Sequence, residues 1–547
     1  MNKRNLCLFL ILLALIAFPL PSRGARQAAQ TQASAHCPPL DPPNGNVVNV
    51  ANVTQLENAV DTSPSGTTIL VADGTYDLHG IALWFNNPNV TLRSASGDRE
   101  AVVISGNYET SEIITIAASN VTVADLTLQR ADTHPIHVVS TASADTTGTL
   151  IYNVHIIDPT EQAIKINPDE GRTHFPDDGV VACSHIELTD AGRPHVRDCY
   201  TGGVDAHQAW GWTIRDNRIE GFWCEYGLSE HAIHLWTGSR DTLTQRNILV
   251  DDARGVGYGL EEYRDDARTY PDDPCPGASY VGHYDGIIRN NFIFAQRDEL
   301  FASEYGFDCG ICLAQACGTQ VLHNTVASTQ APFSSIEWRF DDTDVEITNN
   351  LVSHNLRDRG GTASLQGNLP NAPLSLFVDG AGGDLHLLAS ASAAIDQGVA
   401  LAAGLCDDDV DGEARPSGSG RDIGADEYVL PAPAAVSDLF VTHALAGSSV
   451  LTVTLRWTAP ADALTYTLRY AGAPIGESNW ESAADLPVPF TASAPGTAES
   501  LAAPLPYAGG ARYFALKSQG AGGNWSALSN NAFWPYTSVW MPLVLKQ

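Results

Sequence analysis

An all-β architecture is predicted, a parallel coil of short strands followed by a small β-sandwich, and three observations predict it. Short apolar strands recur with Asn near their centres: residues 214–219 around Asn217, 244–249 around Asn247, 288–293 around Asn291, 321–326 around Asn324 and 347–352 around Asn350. The intervals between these Asn are 30, 44, 33 and 26 residues, an irregularity that a solenoid absorbs in its loops while its strands stay in register. The chain holds 47 Gly and 31 Pro but only 2 Met, which favours turn-rich β structure. Finally, residues 450–457 alternate apolar and polar side chains beyond a Pro/Ala-rich stretch, the pattern of a half-buried strand in a second domain.

Composition bounds the function. The 547 residues include 30 Lys plus Arg and 63 Asp plus Glu, a formal net charge of −33. Phosphate polymers and anionic membranes are repelled by such a chain, so no nucleic-acid partner is expected. An acidic substrate would need a local basic patch or a bound cation. Hydrophobic residues at 44% with 17% charged describe a folded chain.

At the start, Lys3 and Arg4 precede an apolar run from Leu6 to Leu20. This reads as a signal peptide over residues 1–25, its end extending as far as 35, for a secreted or cell-surface protein. No later span is comparably apolar, so no membrane span is expected after signal removal. Cys7 leaves with the signal. Among the remaining Cys, Cys183 with Cys199 and a pair within Cys309, Cys312 and Cys317 are local disulfide candidates, and the odd total leaves a thiol over.

Residues 45–428 are assigned to the coil. Earlier turns read at 121–123, 150–154 and 185–188, and residues 261–282 form a long loop inside the widest Asn interval. Apolar residues fill the core, and Asn at equivalent positions can stack as an amide ladder. A second strand follows each Asn segment. Aligned by apolar residues, these strands place two columns on the outer face. One column runs Lys165, Asp205, His234, Gly257, Cys312, Glu337. The other runs Asn167, His207, Trp236, Gly259, Ala314, Arg339. Successive turns lie about 4.8 Å apart, so Lys165, Asp205, His207 and His234 are expected to cluster beside Trp236, with the two Gly leaving a floor for a chain-like ligand. Glu230 precedes the cluster and Arg254 supplies positive charge near it.

Residues 56–60 followed by 66–76, and the closing stretches 394–398, 409–412 and 422–428 (Asp-Ile-Gly-Ala-Asp-Glu-Tyr), resemble the opening and closing segments of right-handed parallel β-helix proteins of the pectate lyase-like superfamily, many of them exported by bacteria. The resemblance implies a right-handed coil and a glycan partner. It leaves open lyases, epimerases, hydrolases and non-catalytic adhesins. By that resemblance Lys165 is the base of a β-elimination on an acidic, uronate-containing polysaccharide. His207 or His234 is its acid–base partner, and Asp205 and Glu230 hold a cation or orient a His. Asn167, Trp236, Arg254, Glu337 and Arg339 are the candidate substrate-binding residues. A hydrolytic variant would pair Asp205 with Glu230 or Glu337. The alternatives are a glycan-binding surface rod, or a uronan epimerase or hydrolase on the same face.

Asp407, Asp409 and Asp411 before Gly412 resemble the start of a calcium loop, although Gly418 stands where a full EF-hand needs Glu. A structural calcium or a solvated acidic turn fits. Residues 429–436 read as a linker. Residues 437–547 resemble a fibronectin type III-like sandwich of about 100 residues with Trp457 in its core and an apolar tail at 540–546. Nothing in the sequence specifies an oligomeric state.

Overall fold

Each winding of the chain gives one strand to each of three parallel sheets. The winding Leu150–Tyr152, His155–Ile157, Gln162–Asn167 is followed by Val180–Ala182, His185–Glu187, Gly202–His207, and each strand pairs in parallel with its counterpart one turn on. The first sheet has 14 strands and the second and third 10 each. The coil is a right-handed parallel β-helix, the hand that crossovers between right-twisted parallel strands adopt. These features come from a computed structural model that describes residues 36–447, 449–486 and 491–535. The signal segment and the tail at 540–546 lie outside the described residues.

Alternation makes this coil. Ile151, Ile156, Ile164, Val181, Ile186 and Val204 point inward and are fully buried. Truncating one of these to Ala costs about 2–5 kcal/mol. At the start, Asn52 caps the helix Val53–Thr62, which lays Leu56, Ala59 and Val60 against the first winding. At the other end, Arg415 pairs with Glu427 at 2.8 Å with both side chains buried. Asp422 accepts the backbone N–H groups of Asp396 and Tyr428. The acidic closing motif is thereby consumed in holding the last loops. Among the described residues, no helix is long and apolar enough to cross a membrane.

The recurring Asn do not sit mid-strand as the sequence pattern implied. Each occupies a corner between two short strands, such as Thr213–Arg215 and Arg218–Glu220. The residue before each is left-handed: Asp216, Arg246, Asn290, His323 and Asn349 have φ of 49–59°, and this bend splits the apolar segment in two. The side chains form the expected ladder. Asn217 Nδ2 donates to Asn247 Oδ1 at 3.0 Å, and the chain continues through Asn291, Asn324, Asn350 and Asn368 at 2.9–3.0 Å.

Disulfides join Cys37 to Cys183, Cys275 to Cys317 and Cys309 to Cys312. The Cys183–Cys199 pairing is therefore corrected: Cys183 faces the N-terminal segment, leaving Cys199, Cys224 and Cys406 as free thiols. The C-terminal strands form a three-stranded and a four-stranded antiparallel sheet around Trp457, Leu455, Leu468 and Phe514.

Candidate active site

The third sheet carries the outward columns in the register that alternation predicts. Lys165 pairs with Asp205, Asp205 with His234, His234 with Gly257, Gly257 with Cys312 and Cys312 with Glu337. His207 pairs with Trp236 and Ala314 with Arg339. The intervening Ile164, Ile166, Ala206, Ile233 and Leu235 fill the core, so the column side chains leave the barrel on its outer side.

There they form a tight network around Asp205. Lys165 Nζ donates to Asp205 Oδ2, to Tyr200 Oη at 2.9 Å and lies 3.1 Å from His207 Nε2. Trp236 Nε1 donates to Asp205 Oδ1 at 2.9 Å. His234 Nδ1 stands 3.4 Å from both Asp205 Oδ1 and Glu230 Oε2. Burial opposes the charge on Asp205, but Lys165 and then His207 hold its carboxyl well below the usual range. Burial likewise works against the Lys165 ammonium, and Asp205 and Tyr200 outweigh it, raising its pKa. Burial lowers His207 despite Asp205, so it is neutral at pH 7, whereas Asp205 and Glu230 overcome burial to raise His234. Burial raises Tyr200, with Lys165 pulling the other way.

Several sequence-based expectations change at this point. Lys165 is an ion-paired ammonium, and a general base needs a free amine. The floor expected at Gly257 is filled by the His231 ring, whose atoms stand 2.5 Å from where a Cβ would be; the Ala314 carbonyl fills the equivalent space at Gly259. Trp236 is 7% exposed. Its ring stacks on His234 at 4.8 Å and packs on His207 at 4.6 Å, and the Arg264 guanidinium lies 5.0 Å from it, so it offers no free face to a sugar. The long loop lies over this side of the cluster, with Gln208 Nε2 donating to Asp266 O at 2.5 Å and Arg339 to Leu260 O at 2.6 Å.

Arg254 is paired with Asp308 at 3.1 Å. Glu337 is buried against Arg359 at 2.6 Å, three strands from His234 and so about 14 Å along the sheet. Neither joins the cluster. A hydrolytic pair of Asp205 with Glu337 is excluded by that spacing, and Asp205 and Glu230 both turn toward His234 rather than flanking a cleft. The acidic loop does not converge either. Asp407 pairs with Arg421 at 3.0 Å, Asp411 with His386 at 2.8 Å, and buried Asp409 accepts the N–H groups of Asp411, Glu413 and Glu427, so each of these carboxylates is engaged with a different protein partner. A separate cleft is lined by Arg246, His386, Asp411, Asp426 and Tyr428, and it holds no column residue.

The exposed edge of the cluster includes groups that sequence reasoning missed. Tyr200 is 38% exposed and comes from an irregular loop with no periodic signal. His137 pairs with Lys165 in register, and its alternation with the core residues Ile136 and Val138 is the sequence signal that marks it. Its Nδ1 lies 2.8 Å from Glu112 and its Nε2 3.2 Å from Asn167 Oδ1. Trp84, two strands before His137 in the same column, is 45% exposed. Asn167 and His207 are half-buried beside them.

No family model and no curated protein matches the chain. Solved structures similar to it include the pectate lyase Pel9A, with 15% identity over 72% of this chain and 99% of its own and a TM-score of 0.45. Another is an alginate lyase from Paenibacillus sp. str. FPU-7, with 14% identity over 60% of this chain and 99% of its own and a TM-score of 0.39. The tailspike protein of E. coli bacteriophage HK620 shares 12% identity over 90% of each chain, with a TM-score of 0.39. At these identities the likeness concerns the coil fold and says nothing of activity.

Proposed function

We propose that the chain is an exported carbohydrate-active protein, a polysaccharide lyase acting by β-elimination on a uronate-containing glycan at the Lys165–His207–Tyr200 edge. The observation that carries this reading is one ammonium, Lys165 Nζ, shared between Tyr200 Oη at 2.9 Å and His207 Nε2 at 3.1 Å. A fixed cation, a neutral imidazole and a protonated phenol thus meet where the cluster reaches solvent. A substrate carboxylate arriving at Lys165 takes the place of His207 on the ammonium and frees Nε2 beside the carbon that bears that carboxylate. His207 removes the C5 proton. The C–H electron pair becomes the C4–C5 double bond, the C4–O bond breaks, and Tyr200 protonates the departing glycosidic oxygen. Lys165 offsets the charge that gathers on the carboxylate, and so supplies locally the positive potential that a net charge of −33 denies globally.

Three disulfides support an oxidising, extracytoplasmic location. The three-plus-four strand order of the C-terminal sheets supports a fibronectin type III-like spacer. Incubation with alginate, pectate and glycosaminoglycans tests the activity through the ultraviolet absorbance of unsaturated uronate ends. A folded chain that yields none from any of these polymers refutes it. Burial of Asp205, His234 and Trp236 together with exposed Trp84 favours one second reading, a glycan-binding rod; it would retain these polymers without shortening them.

A further inference from the structure

We propose that Glu230, His231 and His234, with Asp205 beside them, form a binding site for a divalent first-row transition ion of the zinc class. The observation is a convergence of metal-ligating atoms. Glu230 Oε2, His231 Nδ1 and His234 Nδ1 all lie within 4.8 Å of one another. None of the three has a hydrogen-bond partner among the described residues. Both rings are buried, at 2% and 0% exposure, so bulk solvent does not reach them.

The hydrogen-bond chemistry sharpens this. His234 Nε2 lies 3.3 Å from the Gly259 carbonyl, which only accepts, so Nε2 carries the hydrogen. Nδ1 of the neutral ring is then a lone pair facing carboxylate oxygens of Asp205 and Glu230 at 3.4 Å each. Acceptors facing acceptors require a cation. A proton on His234 Nδ1 answers that ring and the carboxylate oxygens facing it. It leaves His231 Nδ1, buried and 3.8 Å from the same Glu230 oxygen, without a hydrogen-bond partner among the described residues. A single metal ion answers every one of these atoms.

Spacing and scaffold agree. Ligands about 2.0–2.1 Å from a tetrahedral zinc stand about 3.3–3.4 Å apart, close to the 3.4 Å and 3.8 Å separations here. The backbone is already fixed: Glu230 N–H donates to Thr201 O at 2.9 Å, and the carbonyls of His231 and Ala232 accept from Gly203 and Val204. Two imidazoles and a carboxylate suit zinc, cobalt or manganese and not calcium, which takes oxygen donors. The site is independent of the glycan reading, because its test needs no substrate.

The full exported chain, disulfides intact, is stripped with a chelator and equilibrated separately with Zn²⁺, Co²⁺, Mn²⁺ and Ca²⁺. Metal content is then measured by elemental analysis after desalting. One equivalent of Zn²⁺ or Co²⁺ with no retained Ca²⁺ is expected, and His231→Asn and His234→Asn should each weaken retention at least about tenfold. A folded chain that retains no transition ion, or variants that retain as much as the wild type, overturns the site. If the Asn variants do not fold, Glu230→Gln and the cobalt spectrum of the wild type decide. Weakened retention with bands of nitrogen and oxygen ligation supports the proposal. Thiolate charge-transfer bands, which would place the ion on the free cysteines, overturn it.

Discussion

Two buried rows of polar side chains run along this coil, and they differ in kind. At the corner between the first and second sheets, Asn217 to Asn368 repeat one residue type, and each amide donates to the next (3.0 Å from Asn217 to Asn247). On the outer side of the third sheet, Lys165, Asp205 and His234 change chemistry at every winding, and acceptors such as His234 Nδ1 and Glu230 Oε2 are left without hydrogen bonds. Both rows lie largely out of reach of solvent. A repeated, self-satisfied row holds the coil together; a varied row with unspent donors and acceptors stores capacity for binding and proton transfer.

The contrast breaks most visibly at His207. His207→Asn should lower the rate of elimination by about 10²–10⁴-fold while thermal unfolding stays near that of the wild type. Equal turnover in the variant would move the chemistry elsewhere. Removing one partner of the central ion pair acts on stability instead. Lys165→Met leaves Asp205 buried and uncompensated, and should cost about 3–5 kcal/mol in denaturant titrations of the coil. The ladder comes next. Asn291→Ala strands Asn247 and the carbonyl of Thr244, both of which Asn291 now satisfies, for about 1–3 kcal/mol per orphaned group, with product formation per folded molecule unchanged. A ladder variant that lost activity at full stability would erase the distinction between the rows.

Acid should unfold the coil earlier than its carboxylates imply. Burial lowers His134 to about 4 and His283 to about 3, and holds His323 well below its ordinary value. In the unfolded chain each takes a proton near pH 6.5. Below that pH the unfolded state binds more protons, so stability falls as pH falls, and it does so until the folded-state values are reached. Histidines with raised pKa, such as His155, offset part of this slope near pH 6.5, where the unfolded chain is still taking up its proton, and none of it below about pH 5.5. Denaturation midpoints measured between pH 7 and 5 should therefore drop, and His283→Gln should flatten the slope by one proton. The smallest effect belongs to Trp84→Ala on the exposed face: within about 0.5 kcal/mol in stability, with a raised KM for polymer.

Much of this was legible because alternation has a period of two. With Ile164, Val204 and Ile233 as core residues, alternation alone makes Lys165, Asp205 and His234 neighbours, and the repeated Asn announce the ladder. What alternation does not carry is the surroundings. Tyr200 arrives from a loop, the His231 ring occupies the space that Gly257 was expected to leave open, and the 261–282 loop covers a Trp236 that was expected to be bare. Protonation was illegible for the same reason. Lys165 reads as a base until Asp205 and Tyr200 are seen to hold its proton. Cys183 finds Cys37 across 146 residues, a pairing that spacing in sequence does not suggest.

The most direct measurement follows the rate of unsaturated-end formation against pH, in the wild type and in His207→Asn, on the polymer that reacts best. A rate that falls on the acid side with a midpoint below about 6.5, and that is lost in the variant at unchanged thermal stability, is the predicted result. An acid limb well above that value, or an undiminished profile in the variant, would contradict a neutral His207 as the base of this site.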